Sequence, residues 1–319
     1  MASSNPAYVT WVQRSLNRVL GTALDVDGVA GEQTRAAIRR FQESRGLEAD
    51  GLVGPATERA LLAAGADSFR FKDAPALAAA PLAPASPIEI DPAWTPLRRE
   101  LAGTYNRLGG LARALGDQAN IGMPSVLAVW SVESSGRAHT AGRAVIRFEN
   151  HLLWEAWGRQ QPAQYDAHFR HGGRAGQSGR AWERHQFREA AGDVWRACHT
   201  GQDGEYRVVA LARRLAGDHL ALACMSIGGP QILVSHYATL GYASPLEMFE
   251  AFQADERAQI LGFFDFCASQ GSPSPGDLLD YLRQGRWMEF ARFYNGTGQM
   301  DEYAGRLDAS HTQAALLPV

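Results

Sequence analysis

Apolar residues recur at three- and four-residue steps through most of this chain, the spacing that gives a helix one buried stripe. In VTWVQRSLNRVLG, Val9, Val12, Leu16 and the Val19/Leu20 pair share a face, as do Ile38 and Phe41 in RAAIRRFQESRGL. PLRRELAGTYNRLGGLARAL sets Leu97, Leu101, Tyr105, Leu108, Leu111 and Leu115 in register. Further helical patterns fall near 205–217, 245–253, 256–268 and 287–294. The spacing therefore predicts a mainly α chain. One stretch departs from it: AGRAVIRFENH opens on a glycine turn and carries β-branched residues, which predicts a short strand or hairpin. The following HGGRAGQSGR holds four glycines in ten residues and reads as a mobile loop.

The helical pattern is interrupted once on a larger scale. DAPALAAAPLAPASPIEIDPAWTP contains six of the fifteen prolines, with alanine filling much of the rest. Such a segment is expected to hold no helix and bury little, so it reads as a semi-rigid, extended spacer. The expected organisation is residues 1–73, a linker over 74–96, and residues 97–319.

The first part carries an internal repeat. DGVAGEQT begins at Asp27 and DGLVGPAT at Asp50. Each Asp-Gly marks a tight turn and each second glycine precedes a helix start, with Pro55 suited to a first helical position and Glu32 and Glu58 to a first turn. Three helices of roughly 65 residues result, near the lower size limit for an independent core. The order of elements over residues 8–63, with two DGxxG turns flanking FQ and GL, resembles the peptidoglycan-binding module of cell-wall hydrolases. The resemblance implies a shallow groove near the turns that takes glycan or stem peptide.

Composition narrows the function classes. Hydrophobic residues make up 45% of the 319, enough for ordinary cores, and the formal net charge of −3 argues against nucleic acid as a partner. Lys72 is the single lysine. The three cysteines, Cys198, Cys224 and Cys267, are widely spaced and odd in number, so they read as buried small hydrophobes. The N-terminus shows no basic segment followed by an apolar run, and no stretch reaches the length of a membrane-spanning helix. Synthesis in the cytoplasm without a signal peptide is expected, as a monomer that does not insert into membranes.

One residue breaks the pattern in a way that suggests chemistry. In PSVLAVWSVESSG, Pro124 suits a helix start, Val126, Leu127 and Trp130 share a face, and Glu133 continues that face. Gly136 is a natural stop. A carboxyl there would be partly buried at the negative end of a helix dipole, and both effects would raise its proton affinity. A carboxylic acid held protonated near neutral pH is what a general acid requires. Pairing with Arg137 or Arg143 is the competing reading.

VESSG, RFENH, SIGGPQI, GY and ARFYNG occur in an order that resembles the N-acetylmuramidase domains of phage endolysins and related muramidases, over roughly residues 100–310. The chain departs from that pattern at Ile227, where an aromatic residue is usual. The resemblance implies a lysozyme-like α domain with a short β-hairpin, acting on the β-1,4 bond between N-acetylmuramic acid and N-acetylglucosamine in peptidoglycan at the cell wall. It makes Glu133 the catalytic acid. Glycosidases usually need a second carboxylate. Glu149 in RFENH is the expected partner, ahead of Glu155 and Asp166. Gln231 in GGPQI and Tyr294 and Asn295 in FYNG are expected sugar contacts, since an amide suits hydroxyl and acetamido groups and a tyrosine ring can stack on a sugar. His151, His168, His171, His185 and His199 fit no metal-binding spacing and no HExxH occurs, so neither metal nor cofactor is expected. Alternatives within the same resemblance are a lytic transglycosylase, an antibacterial effector delivered by a secretion system, and a wall-binding protein without activity.

Overall fold

A computed structural model describes residues 6–66, 69–134, 138–174, 176–270 and 277–319. Its backbone divides into two compact units, Met1–Val132 with Leu261–Val319, and Glu133–Ile260. The expected mainly α chain is found, with a few short strands.

The first unit opens with α1 (Pro6–Leu20), α2 (Glu32–Ser44) and α3 (Pro55–Ala63). Trp11, Val12, Leu16, Ala37, Ile38, Phe41 and Leu61 form their common core. Two buried glutamines explain the repeat. Gln13 Nε2 donates to Asp27 Oδ1 (2.8 Å), the Val29 carbonyl (3.1 Å) and Thr34 Oγ1 (3.2 Å), while its Oε1 accepts from the Gly28 amide (3.0 Å). Gln42 repeats the set on Asp50 (2.7 Å), Leu52 (2.9 Å), Thr57 (3.1 Å) and the Gly51 amide (2.9 Å). Each DGxxG turn is thus pinned by an amide from the preceding helix, which satisfies polar groups the helix ends leave open.

The segment expected to be a spacer is folded. A short 3₁₀ turn at Phe71–Asp73 leads into α4 (Pro75–Ala79), and Phe71, Ala74, Leu77 and Ala80 are buried. The following chain lies on α5 (Pro96–Ala119): Gly110 donates to the Leu82 carbonyl at 3.0 Å, and Asn106 bonds both the amide and the carbonyl of Ile88 at 2.8 Å. Proline prevents a long helix here, but small apolar side chains still find a surface, so composition alone misjudged the segment.

Thr95 caps α5 by accepting from the Arg98 amide at 3.2 Å, and Asn120 ends it in the left-handed region at φ 53°. Next comes α6 (Met123–Ser134), where every residue from Val126 to Val132 is buried. The single stripe read from sequence is therefore too narrow, because a helix apolar on all sides belongs inside.

In the second unit, β1 (His139–Thr140) and β2 (Arg143–Ala144) form the expected hairpin. Its turn places Ala141 at φ 50° and Gly142 at φ 75°, the signs a type I′ turn requires. Then follow β3 (Ile146–Phe148), α7 (Asn150–Leu153) running into a π turn at Trp154–Gly158, α8 (Pro162–His168), β4 (Phe169–Arg170), β5 (Gln186–Phe187), β6 (Arg196–Ala197), α9 (Gln202–Ala216), α10 (Asp218–Ala223), β7 (Met225–Ile227) and β8 (Ile232–Leu233). Two antiparallel sheets result, ordered β3-β7-β8 and β4-β5-β6. The second is absent from the sequence expectation, since two-residue strands carry no readable alternation. The glycine-rich loop between β4 and β5 is hydrogen-bonded, with the Gly172 amide on the Glu183 carbonyl at 2.8 Å.

The chain ends in α11 (Pro245–Ala254), α12 (Glu256–Ser269), α13 (Asp277–Gln284), α14 (Trp287–Tyr294) and α15 (Met300–Ala315). In the first unit α15 packs on α5 and α14.

Candidate active site

Glu133 stands near the end of α6, after eight consecutive buried residues, Ser125 to Val132. It is half-buried, and its Oε1 is shielded from solvent. The expectations placed on Gly136 as the helix stop and on Arg137 as a partner fall outside the described residues. Arg143, the other expected partner, is engaged with Asp203 at 2.5 Å and lies over the Tyr206 ring.

The three carboxylates considered as the second group are each held by an arginine. Glu149 Oε1 accepts from Arg147 Nε at 2.9 Å. Glu155 pairs with Arg159 at 2.6 Å, and Asp166 takes a two-pronged bond from Arg174 at 2.9 and 3.2 Å. Arg174 also lies 3.1 Å from the Trp154 ring centroid, which fixes that fork. Glu149 sits where β3 turns into α7, its amide bonded to the Cys224 carbonyl at 2.9 Å. Its Oε2 is buried without a hydrogen-bond partner and faces histidines: His185 Nδ1 at 3.4 Å and His151 Nδ1 at 3.5 Å.

The expected sugar contacts divide. Gln231, at φ 49°, bonds through both ends of its amide: Oε1 accepts from Ser226 Oγ at 2.9 Å, and Nε2 donates to the Gly228 carbonyl at 2.6 Å and, across to the chain before β3, to the Val145 carbonyl at 3.3 Å. A sugar at this amide would have to displace one of these bonds, which also hold the β7–β8 turn in shape. Tyr294 joins an aromatic cluster, stacked on Phe290 (centroids 5.3 Å, planes 13° apart) with Phe263 at 5.5 Å. Asn295 is exposed just beyond α14, so its amide is accessible to solvent. Glu133, Glu149 and Gln231 belong to the second unit, Tyr294 and Asn295 to the first.

Sequence reasoning named the histidines and set a metal site aside on their spacing; it did not bring them together with Glu149. His151, His185 and His199 meet in space beside Glu149, with Glu205 behind His199 at 2.7 Å. Burial pushes the His185 imidazole down to about 4, with neighbouring histidines adding to the effect. Separations of 34, 14 and 6 positions along the chain leave no short motif to read.

The chain belongs to the N-acetylmuramidase family, whose pattern matches residues 122–315, more than half of its length. A peptidoglycan binding domain matches residues 5–61. The expected order of wall-binding module and muramidase domain is borne out. The zinc D-Ala-D-Ala carboxypeptidase of Streptomyces albus G is 54% identical over 37 residues, which are 12% of this chain and 14% of that enzyme. The crystal structure of Burkholderia AP3 phage endolysin covers 97% of this chain and 96% of its own, at 24% identity and a TM-score of 0.49.

Proposed function

We propose that this chain is a lytic enzyme of the phage-endolysin kind that hydrolyses the β-1,4 bond between N-acetylmuramic acid and N-acetylglucosamine in peptidoglycan. Residues 1–73 bind the wall and residues 97–319 cut it. The observation that carries this reading is Glu133, a carboxylic acid closing a helix buried throughout Val126–Val132, inside the region that matches the muramidase family. Glu133 donates its proton to the glycosidic oxygen as the bond to C1 breaks. Water then adds to C1 and gives up a proton to the Glu133 carboxylate, which restores the acid. On the wall-binding module, a groove lined by Val12, Ala30, Arg35, Leu52 and Val53, among others, is the surface to which we assign the glycan or stem peptide.

The arginine partners of Glu149, Glu155 and Asp166 favour a second reading, in which no carboxylate activates water. The C6 hydroxyl of the muramic acid would then attack C1 and close a 1,6-anhydro ring. Mass spectrometry of digested sacculi separates the two. Hydrolysis predicts reducing muramic ends carrying one added water per cut, whereas anhydro ends would transfer the chain to the transglycosylase reading.

A further inference from the structure

The cluster around Glu149 has the form of a metal site. The donor atoms of Glu149, His185 and His199 all lie within 4.8 Å of one another. His185 Nδ1 is 3.4 Å from Glu149 Oε2 and 3.0 Å from His199 Nε2. The far nitrogen of each imidazole is engaged. His199 Nδ1 lies 2.7 Å from Glu205 Oε1, and Glu205 is itself buried and fixed by the Phe148 amide, which donates to its Oε2 at 2.8 Å. His185 Nε2 lies 3.0 Å from the Ala181 carbonyl oxygen.

These outer partners decide where the protons are. The Ala181 carbonyl can only accept, which favours the His185 proton on Nε2, and the Glu205 carboxylate oxygen beside His199 Nδ1 favours the His199 proton there. That leaves the lone pairs of His185 Nδ1 and His199 Nε2 facing each other at 3.0 Å, beside a buried carboxylate oxygen with no donor of its own. Three electron-rich atoms turned on one another repel unless a positive charge lies among them.

We propose that Glu149, His185 and His199 bind a zinc ion. Two imidazole nitrogens and one carboxylate oxygen suit zinc, whereas calcium and magnesium favour all-oxygen sets. Zinc bonds of about 2.0–2.1 Å at tetrahedral angles place neighbouring ligand atoms about 3.3 Å apart; the two separations that involve His185, 3.0 and 3.4 Å, are close to this, and all three lie within 4.8 Å. The Glu205–His199 and Ala181–His185 bonds supply the outer support that orients metal-binding histidines. Three protein ligands leave the fourth tetrahedral position to water, and the part of the ion here would be to hold elements together. His185 immediately precedes β5, His199 follows β6, and Glu149 immediately follows β3, so the ion would tie the small β4-β5-β6 sheet to the central one.

The test uses the full-length chain without an affinity tag, purified without chelator. Elemental analysis should find one zinc per chain after dialysis, and cobalt added to chelator-treated protein should give the visible bands of a tetrahedral site. Zinc at a thousandfold excess over its dissociation constant should raise the Tm of the stripped protein by roughly 10 °C. His185→Gln and His199→Gln should lose both the zinc and the response, while His219→Gln, on α10 and outside the cluster, keeps them. If the two cluster variants do not fold, the zinc content, cobalt spectrum and Tm response of the unaltered chain decide the matter. No zinc above the buffer blank together with no Tm response overturns the proposal, as does full zinc retention in the His185→Gln/His199→Gln double variant.

Discussion

Gln42 Nε2 donates to Asp50 Oδ1 at 2.7 Å, joining the end of α2 to the turn before α3. The same glutamine closes three further bonds on that turn, and Gln13 makes the corresponding four one repeat earlier. The wall-binding module is small, and these buried amides stabilise what its hydrophobic core alone would hold weakly.

Removing one of them is therefore expensive. Gln42→Ala leaves the Gly51 amide and Leu52 carbonyl without their partner and should destabilise the module by about 3 kcal/mol. Urea unfolding followed by circular dichroism should show an early transition in the variant. Gln13→Ala should behave alike, and midpoints unchanged from the parent would mean the amides are dispensable.

Gly110 tests the docking of the proline-rich segment by the sign of its effect. A Cβ there would lie 2.3 Å from the Ala83 carbonyl oxygen and 2.5 Å from that of Pro81. In an exposed helix, glycine to alanine gains about 1 kcal/mol. Here Gly110→Ala should instead cost about 1–3 kcal/mol by overpacking, and the segment 81–92 should become more susceptible to protease. A variant that melts higher than the parent would mean the segment does not rest on α5.

Asp265 should give stability a pH dependence. It is buried and accepts the amides of Phe71 and Lys72. Burial pushes its carboxyl up to about 8, and Asp73 adds to this, against the two amides and the Lys72 charge. The folded chain then holds a proton that the unfolded chain releases near pH 4. The resulting stability is complete below about pH 4 and is lost as pH rises through the folded value. Asp265→Asn cannot ionise, so its Tm should fall less than the parent's between pH 5 and pH 8. Parallel Tm profiles for the two proteins would refute the assignment.

What sequence could and could not show follows from the range of the interactions. The DGxxG repeat was legible because each turn is local, and α5 and α6 because apolar periodicity is local too. The docking of residues 74–96 was not, since Leu77 and Gly110 find their partners through tertiary packing that composition does not encode. Glu133 stood out as a charge beside apolar residues, a mismatch visible in one dimension. Gln231 reads as a sugar contact because an amide suits hydroxyl and acetamido groups, while its bonds to Ser226, Gly228 and Val145 depend on a turn and a strand pairing that sequence does not show. The meeting of His151, His185 and His199 with Glu149 depends on two separate sheets and has no short spacing to betray it.

The most direct measurement of the account is the lytic activity of Glu133→Gln on purified cell walls, read as loss of turbidity, with wall binding measured by pull-down in parallel. Glutamine keeps the shape of the side chain and removes the transferable proton. The account predicts a rate roughly 10²–10⁴ lower, with binding to sacculi unchanged because the module is untouched. Lysis at the parent's rate by the folded variant would contradict it.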